Sequence, residues 1–415
     1  MYKSKAISIT MTEDISKSIN SMAYAASKLW NVGNYEKKNY KTLEGFDNFP
    51  NWYNQKKRLK TNHWFKCLPS QSAQDILQQL QEGWVSFFQL IKNQSIENPK
   101  PPKYKQEPIA FTYLKDGFKF IDGKLRLTIT KTQKEYLSTI GINNKFLYLE
   151  IDKHFPKTDS IKEIRIYPGK NNCHKVIFTY EIEDMSLKPD NGRYLSIDLG
   201  VNNLMTCYDN IGKTFIVGGN DFIKHTHYFY KQISHYQSIN SSQQYKKGIK
   251  YPKPSKRVKR LYNKKNNIVK NLLHQTTTYV VNYCKKNNIN MLIVGDIKGI
   301  RKDKNLGVAN QKFHSFPYEK IYALLEYKCA QAGINFAKQN EAYSSKSNPE
   351  EKYVGEKYVT GTRSHRGLYK TKRAVYNADS VGAYNILRLY KQKSEADFSA
   401  PLVGLSNPIK IYPCN

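Results

Sequence analysis

Residues 193–206 read R-Y-L-S-I-D-L-G-V-N-N-L-M-T. The apolar run ends in Asp198 and then Gly200, so it predicts a strand that delivers a carboxylate to its own tip, with glycine letting the chain turn at once into the next strand. That second strand is expected over 204–208. After Asp209-Asn210-Ile211-Gly212 a third is expected over 214–217, giving three antiparallel strands joined by short turns. An aspartate at a strand end by itself does no more than cap a turn. What surrounds the stretch decides its meaning.

In a chain of 415 residues, 67 Lys and Arg face 34 Asp and Glu, an excess of 33 positive charges. Solubility does not require so many, and the cations are interleaved with tyrosines, so nucleic acid is the expected partner. A membrane is excluded by the lack of any apolar run near the ~20 residues a span needs. The N-terminus goes straight into Tyr2-Lys3-Ser4-Lys5, which is no signal peptide, so a soluble intracellular protein is expected. Cys67, Cys173, Cys207, Cys284, Cys329 and Cys414 are scattered with no C-x-x-C pair. They read as structural thiols, neither a disulfide framework nor a zinc knuckle.

Upstream of the stretch, residues 3–10 alternate as a short strand, and Thr12 starts a helix with Ile15, Ile19, Met22, Ala26 and Leu29 on one face. Leu68-Pro69-Ser70 opens a second helix with Ala73, Ile76, Leu77, Leu80, Trp84 and Phe87 in register. That stripe is core. Asn98-Pro99-Lys100-Pro101-Pro102-Lys103 is a stiff basic linker that ends helical order. Short β segments then run from 109 to 182 and read as a small β-barrel or sandwich. With the strand at 3–10 as its first member, the helical region becomes an insertion in one β domain. Residues 185–192, with Pro189, form a linker into the domain that opens at Arg193.

Downstream, residues 221–283 read as helical, broken by the basic segment 245–265, which contains Lys256, Arg257, Lys259, Arg260 and Lys264. Its charge density favours contact with phosphates over a merely solvated face. Residues 290–296, N-M-L-I-V-G-D, form a strand apolar on both faces, with Asp296 at its tip. A helix over 318–331 and a strand over 333–337 follow, and Glu341 lies just past that strand's end. The last piece, Y-N-A-D-S-V-G-A-Y-N-I-L over 376–387, is a helix with Asp379 in its first turn and Ala378, Gly382 and Ala383 small enough for tight packing on a sheet. Carboxylates at strand ends and on one helix, far apart in the chain, suit a phosphodiesterase with two Mg2+ ions, since hard cations take oxygen ligands and two of them polarise the attacking water and the leaving oxygen.

Five strings, L-P-S-Q-S-A-Q-D-I-L-Q-Q-L, S-I-D-L-G-V-N-N-L, I-V-G-D-I-K-G-I-R, E-A-Y-S-S-K and Y-N-A-D-S-V-G-A-Y-N-I-L, resemble motifs of the TnpB family, the transposon-encoded RNA-guided nucleases related to type V CRISPR effectors. The resemblance spans nearly the whole chain. It implies a multidomain α+β protein: a wedge-like β-barrel (1–10 and 99–188) with an inserted helical recognition lobe (11–98), then an RNase H-like (RuvC) α/β nuclease domain (189–395) and a C-terminal tail (396–415). It further implies a guide RNA from the transposon end, a double-stranded DNA target beside a short motif read by the protein, Mg2+ or Mn2+ as cofactor, and a cytoplasmic, nucleoid-associated place in a prokaryotic cell. Asp198 becomes the first catalytic carboxylate and Asp379 the last.

Two departures from the family's pattern stand out. Where the family carries Glu-Asp at the end of the 290–296 strand, this chain has Gly295-Asp296. Glu341 is expected to supply the missing carboxylate from the neighbouring strand, and Asp296, one residue on, to point to the opposite face, as the weaker candidate ligand. Where the family carries a four-cysteine zinc finger, 343–375 has no cysteine, and His365 alone cannot hold a tetrahedral zinc. A metal-free basic loop carrying Arg363 and Arg366 toward the DNA is expected there. The leading reading is an RNA-guided DNA endonuclease. A nuclease-inactive, repressor-like RNA-guided binder is the alternative, and a DNA transposase ranks third.

Overall fold

The computed structural model describes residues 2–94, 96–150, 160–169, 171–183, 185–297, 316–365, 367–393 and 400–413. The chain divides into two compact units, residues 1–183 and 184–415.

In the first unit, strand β1 (Tyr2–Thr10) runs antiparallel to β7 (Cys173–Glu181) over its full length, from Tyr2 opposite Glu181 to Thr10 opposite Cys173. Four helices come before the next strand: α1 (Glu13–Asn39), α2 (Trp52–Arg58), α3 (His63–Lys66) and α4 (Ser70–Lys92). Ile19, Met22, Ala26 and Leu29 of α1 and Ala73, Ile76, Leu77 and Leu80 of α4 are all buried, so the two stripes found by their helical spacing do form core. They share one cluster with Phe111, Ile164, Ile166, Val176 and Phe178 from the strands. The proline-rich linker is laid along α1 by side-chain hydrogen bonds: Trp30 Nε1 donates to Lys103 O, Asn34 Nδ2 to Pro102 O, and Asn31 exchanges two bonds with the Lys105 backbone at 2.8 and 2.7 Å.

The expected closed barrel is corrected by two open sheets among the described residues. One has the order β1-β7-β6-β2, with β2 at Phe111–Leu114 and β6 at Ile161–Tyr167. The other is an antiparallel β3-β4-β5 meander over Phe118–Ile121, Lys124–Thr128 and Phe146–Glu150. The chain leaves β2 through a tight 3-10 turn at Lys115–Gly117, so β3 starts a new ladder instead of extending the first. Helix α5 (Lys131–Thr139), absent from the sequence reading, starts where the Thr130 hydroxyl accepts from Gln133 N and intervenes between β4 and β5.

The second unit is built on a six-stranded sheet of order β12-β11-β8-β9-β10-β16. Strands β8 (Tyr194–Asp198), β9 (Asn203–Asp209) and β10 (Thr214–Gly218) form the expected antiparallel meander. Strand β11 (Met291–Asp296) joins β8 in parallel, and β12 (Asn335–Asn340) joins β11 in parallel with Gly295 opposite Gln339. Helices α6 (Asn220–Lys246) and α7 (Lys256–Lys286) connect β10 to β11, and α8 (Tyr318–Gln331) precedes β12. The expected break in helical order falls at residues 247–255, shorter than the basic segment: after Pro252 and Pro254, Ser255 caps α7, and Lys256 to Lys265 are its first turns. One face of the sheet packs on α7 and α8 through Leu195, Ile197, Leu292 and Val294. The other packs on α9 (Ala378–Gln392) through Tyr194, Tyr208 and Ile293.

Between β12 and α9 lies a three-stranded antiparallel sheet, β13 (Thr362–His365), β14 (Leu368–Lys370) and β15 (Val375–Asn377), in place of the expected loop. Hydrogen bonds tie it down. Asn385 Nδ2, buried on α9, donates to both Ser344 O and Ser347 O at 2.8 Å, Tyr369 OH donates to Lys346 O at 2.7 Å, and Glu350 accepts from Thr371 and Tyr376. The C-terminal segment is more than a tail, since β16 (Ile409–Ile411) adds a parallel strand beside β10. No helix among the described residues is long and apolar enough to cross a membrane.

Candidate active site

Alternation along β8 settles where Asp198 points. Leu195 and Ile197 face α7 and α8, whereas Tyr194 and Ser196 face α9, Ser196 Oγ donating to Ala383 O at 2.7 Å. Asp198 has the parity of Ser196. Its Oδ2 sits where a side chain on Gly382 would be, so only glycine on that turn of α9 leaves room for the carboxylate. Burial, then the charges of Glu341 and Asp379, push the Asp198 carboxyl up to about 8, with Arg363 acting against them.

On β11 the same rule applies. Leu292 and Val294 face α7 and α8, and Ile293 faces α9, so Gly295 opens toward α9 and Asp296 away from it. A Cβ on Gly295 would lie 2.5 Å from Glu341 Oε2 and 2.9 Å from Ile386 Cδ1. Glu341 reaches that space from the end of β12, on a turn closed by Ser344 N donating to Glu341 O and by Tyr343 at a left-handed φ of 63°. Its Oε2 is buried with no hydrogen-bond partner. Burial and Asp296 push the Glu341 carboxyl up to about 7.

Asp379 stands in the first turn of α9, whose N-cap Asn377 accepts from the Asp379 and Ser380 amides. Asn203 Nδ2 donates to Asp379 Oδ2 at 2.7 Å, and Arg363 Nη2 from β13 lies 3.7 Å from Asp379 Oδ1. Asn203 was not legible as a site residue, although it opens β9 at the same end of the sheet as Asp198. The structure thus gathers Asp198, Glu341, Asp379 and Arg363. Asp296 neighbours Glu341 from the other face. Lys256, Arg257, Lys259, Arg260 and Lys264 are exposed on α7 and are not among the charges acting on Asp198 or Glu341. Arg366 lies outside the described residues.

Among the described residues no three His, Cys, Asp or Glu side chains converge as a metal-holding group. The donor set nevertheless suits a hard cation: every donor is a carboxylate oxygen, one of them buried and unpartnered, and two of the carboxyls are held toward their neutral forms by burial and, after it, by neighbouring carboxylates whose charge a cation would offset.

Two family models and several known proteins resemble this chain. Residues 177–301 match the OrfB_IS605 family model, described as a probable transposase, and residues 318–386 match a model described as the Cas12f1-like TNB domain. The TnpB-like protein ORF457 of Acidianus two-tailed virus is 23% identical over 403 residues, 90% of this chain and 83% of the relative. Among solved structures, a Cas12f1–sgRNA–target DNA complex shares the mixed α/β, multidomain fold with a TM-score of 0.57 at 14% identity, over 90% of this chain and 82% of that one. The two family models in tandem and a relative matched across most of its length make the chain similar to TnpB-like proteins.

Proposed function

We propose that this chain is an RNA-guided DNA endonuclease of a transposon, that the unit from residue 184 onward is its RuvC-like, RNase H-type nuclease domain, and that Asp198, Glu341 and Asp379 are its catalytic carboxylates. The observation that carries the reading is three carboxylates far apart in sequence coupled at one end of the sheet: burial first, and then the charges of Glu341 and Asp379, push the Asp198 carboxyl up. Structural aspartates are seldom arranged so that they repel one another, whereas sites for divalent cations and phosphate are. Bound Mg2+ or Mn2+ would supply charge neutralisation and an activated water. The chain's own part is positional. Gly382 and Gly295 make room for two carboxylates, Asn203 fixes the orientation of Asp379, and Arg363 places a cation beside the carboxylates where a phosphate would enter.

Guide RNA and double-stranded target DNA are the proposed partners, in keeping with the contents of the Cas12f1 complex and with the excess of 33 positive charges. The exposed Lys256, Arg257, Lys259, Arg260 and Lys264, and Arg363 beside Asp379, are proposed contacts to phosphates. A second reading, a guided binder that does not cut, draws on the lack of a converged metal group among the described residues. One experiment separates the two. The RNA that co-purifies with the protein is sequenced, and the complex is offered a randomised DNA library with Mg2+ or Mn2+. RNA-dependent cuts beside a fixed short motif support the proposal. Equal selectivity after removal of the RNA sinks it, and guided binding without cuts under either ion leaves the binder.

A further inference from the structure

Between Phe222 and Lys286 the chain contains no Asp or Glu at all. This is the α6–α7 hairpin, closed by Phe229, Ile233 and Val258 against Tyr236, Leu261 and Ile268. Apart from Lys224, three residues after Asp221, its many lysines and arginines therefore have no acidic neighbour three or four residues away, and along a helix such like charges repel. Lys256, Arg260 and Lys264 are exposed and recur at every fourth position, which puts them on one stripe of α7.

Tyrosine rings take the place of counter-ions. Arg257 stacks 3.6 Å above the Tyr236 ring and donates to its hydroxyl, and Lys265 Nζ lies 4.2 Å from the Tyr230 ring centre and 5.5 Å from that of Tyr262. Beside Lys265 is a cleft of about 470 Å3 lined by Tyr230, Ser234, Gln237, Ser238, Ser241 and Tyr262. The set combines two aromatic rings, hydroxyl and amide groups, and a cation held between the rings.

We propose that this cleft binds a single-stranded segment of RNA, one base stacking on Tyr230 and Tyr262 while an adjoining phosphate lies on Lys265. Stacking with basic flanks is the chemistry of single-strand capture. The serine hydroxyls and the Gln237 amide complement a ribose 2′-hydroxyl, which DNA lacks. The inference rests on the RNA-guided reading above and gives that RNA a place on the protein.

The test uses the full chain, stripped of RNA, with a thiouridine-substituted single-stranded RNA of about twenty nucleotides and a photoreactive DNA of the same sequence. Irradiation followed by mass spectrometry maps the crosslinks. Crosslinks are expected on peptides holding Tyr230 or Tyr262. They should fall about tenfold in a Tyr230→Ala, Tyr262→Ala double variant and survive in the corresponding double Phe variant, because stacking needs the ring and not the hydroxyl. RNA crosslinked only elsewhere would overturn this inference and leave the RNA-guided reading standing. No retention of RNA at all would overturn both, and equal crosslinking of the DNA would overturn the choice of RNA. The wild-type map decides the matter even if the double Ala variant fails to fold.

Discussion

The Glu341 carboxylate occupies the space that a side chain on Gly295 would fill, its Oε2 only 2.5 Å from where that Cβ would stand. Gly295 lies in β11, whose Asp296 is opposite Asn340 of the parallel strand β12, so Glu341 follows β12 at the level of the β11 tip. A missing carboxylate on one strand and an unpartnered carboxylate from the next thus meet at one point. On this geometry we propose that Glu341 stands in for the glutamate that the TnpB pattern would place at position 295.

Steric substitution tests whether the two glycines make that room. Gly382→Ala would drive a methyl group into the Asp198 carboxylate, and Gly295→Ala one into Glu341. Each is expected to lower guided cleavage by ten- to a hundredfold, in the range found for disturbed metal-site positioning. Guide and target binding, read by gel shift, should hold. Unchanged cleavage in both variants would show that the packing at these positions has no bearing on catalysis.

Asn203 should matter through Asp379. Losing the 2.7 Å hydrogen bond in Asn203→Ala frees the carboxylate to rotate, so the Mg2+ concentration for half-maximal cleavage should rise by about tenfold. Calorimetric titration with Mn2+ provides a readout apart from activity and should weaken in parallel. A fall in cleavage with no change in metal dependence would assign Asn203 a different role.

Lys37 gives a pH-dependent prediction for the first unit. It is 1% exposed, its Nζ donating to Pro50 O and to Gln81 Oε1, and burial pulls its pKa from 10.5 down to about 8. Between those values the unfolded chain holds a proton that the folded chain has released, so this residue's contribution to stability rises with pH from about 8 to 10.5 and is unfavourable below that window. Urea unfolding of wild type and Lys37→Met should therefore diverge in favour of wild type as pH rises from 8 toward 10. Parallel curves would contradict this.

The small sheet before α9 should depend on Asn385. Asn385→Ala leaves the Ser344 and Ser347 carbonyls without their donor, at a cost of about 1–3 kcal/mol. Limited proteolysis should then cut within residues 343–377 sooner than elsewhere. An unaltered cleavage pattern would mean that the network does not hold the insertion.

What was legible in the sequence follows from periodicity. The stripes of α1 and α4, the β8–β9–β10 meander and the buried strand β11 all carry long, regular patterns, and the alternation of β11 was enough to turn Asp296 away from Gly295. What escaped was short or assembled from distant pieces. Helix α5 has nine residues, and β14, β15 and β16 have three each, too few to establish a period. The open pair of sheets in the first unit was hidden because a single 3-10 turn after β2 decides whether the strands share a ladder. At the site, Asn203 and Asp379 are 176 residues apart, and only the folded sheet brings the amide to the carboxylate.

The most direct test of the replacement is the cleavage rate of Glu341→Ala with guide RNA, matched target and saturating Mg2+, set beside Asp198→Ala, Asp379→Ala and Asp296→Ala. Glu341→Ala should lose cleavage as completely as the Asp198 and Asp379 variants, at least a hundredfold, while guided binding survives and Asp296→Ala retains most of its rate. Adding Gly295→Glu to Glu341→Ala should restore part of the activity if Ile386 Cδ1, 2.9 Å from the new Cβ, moves aside. Cleavage by Glu341→Ala at the wild-type rate would contradict the account and leave Asp296 as the third carboxylate.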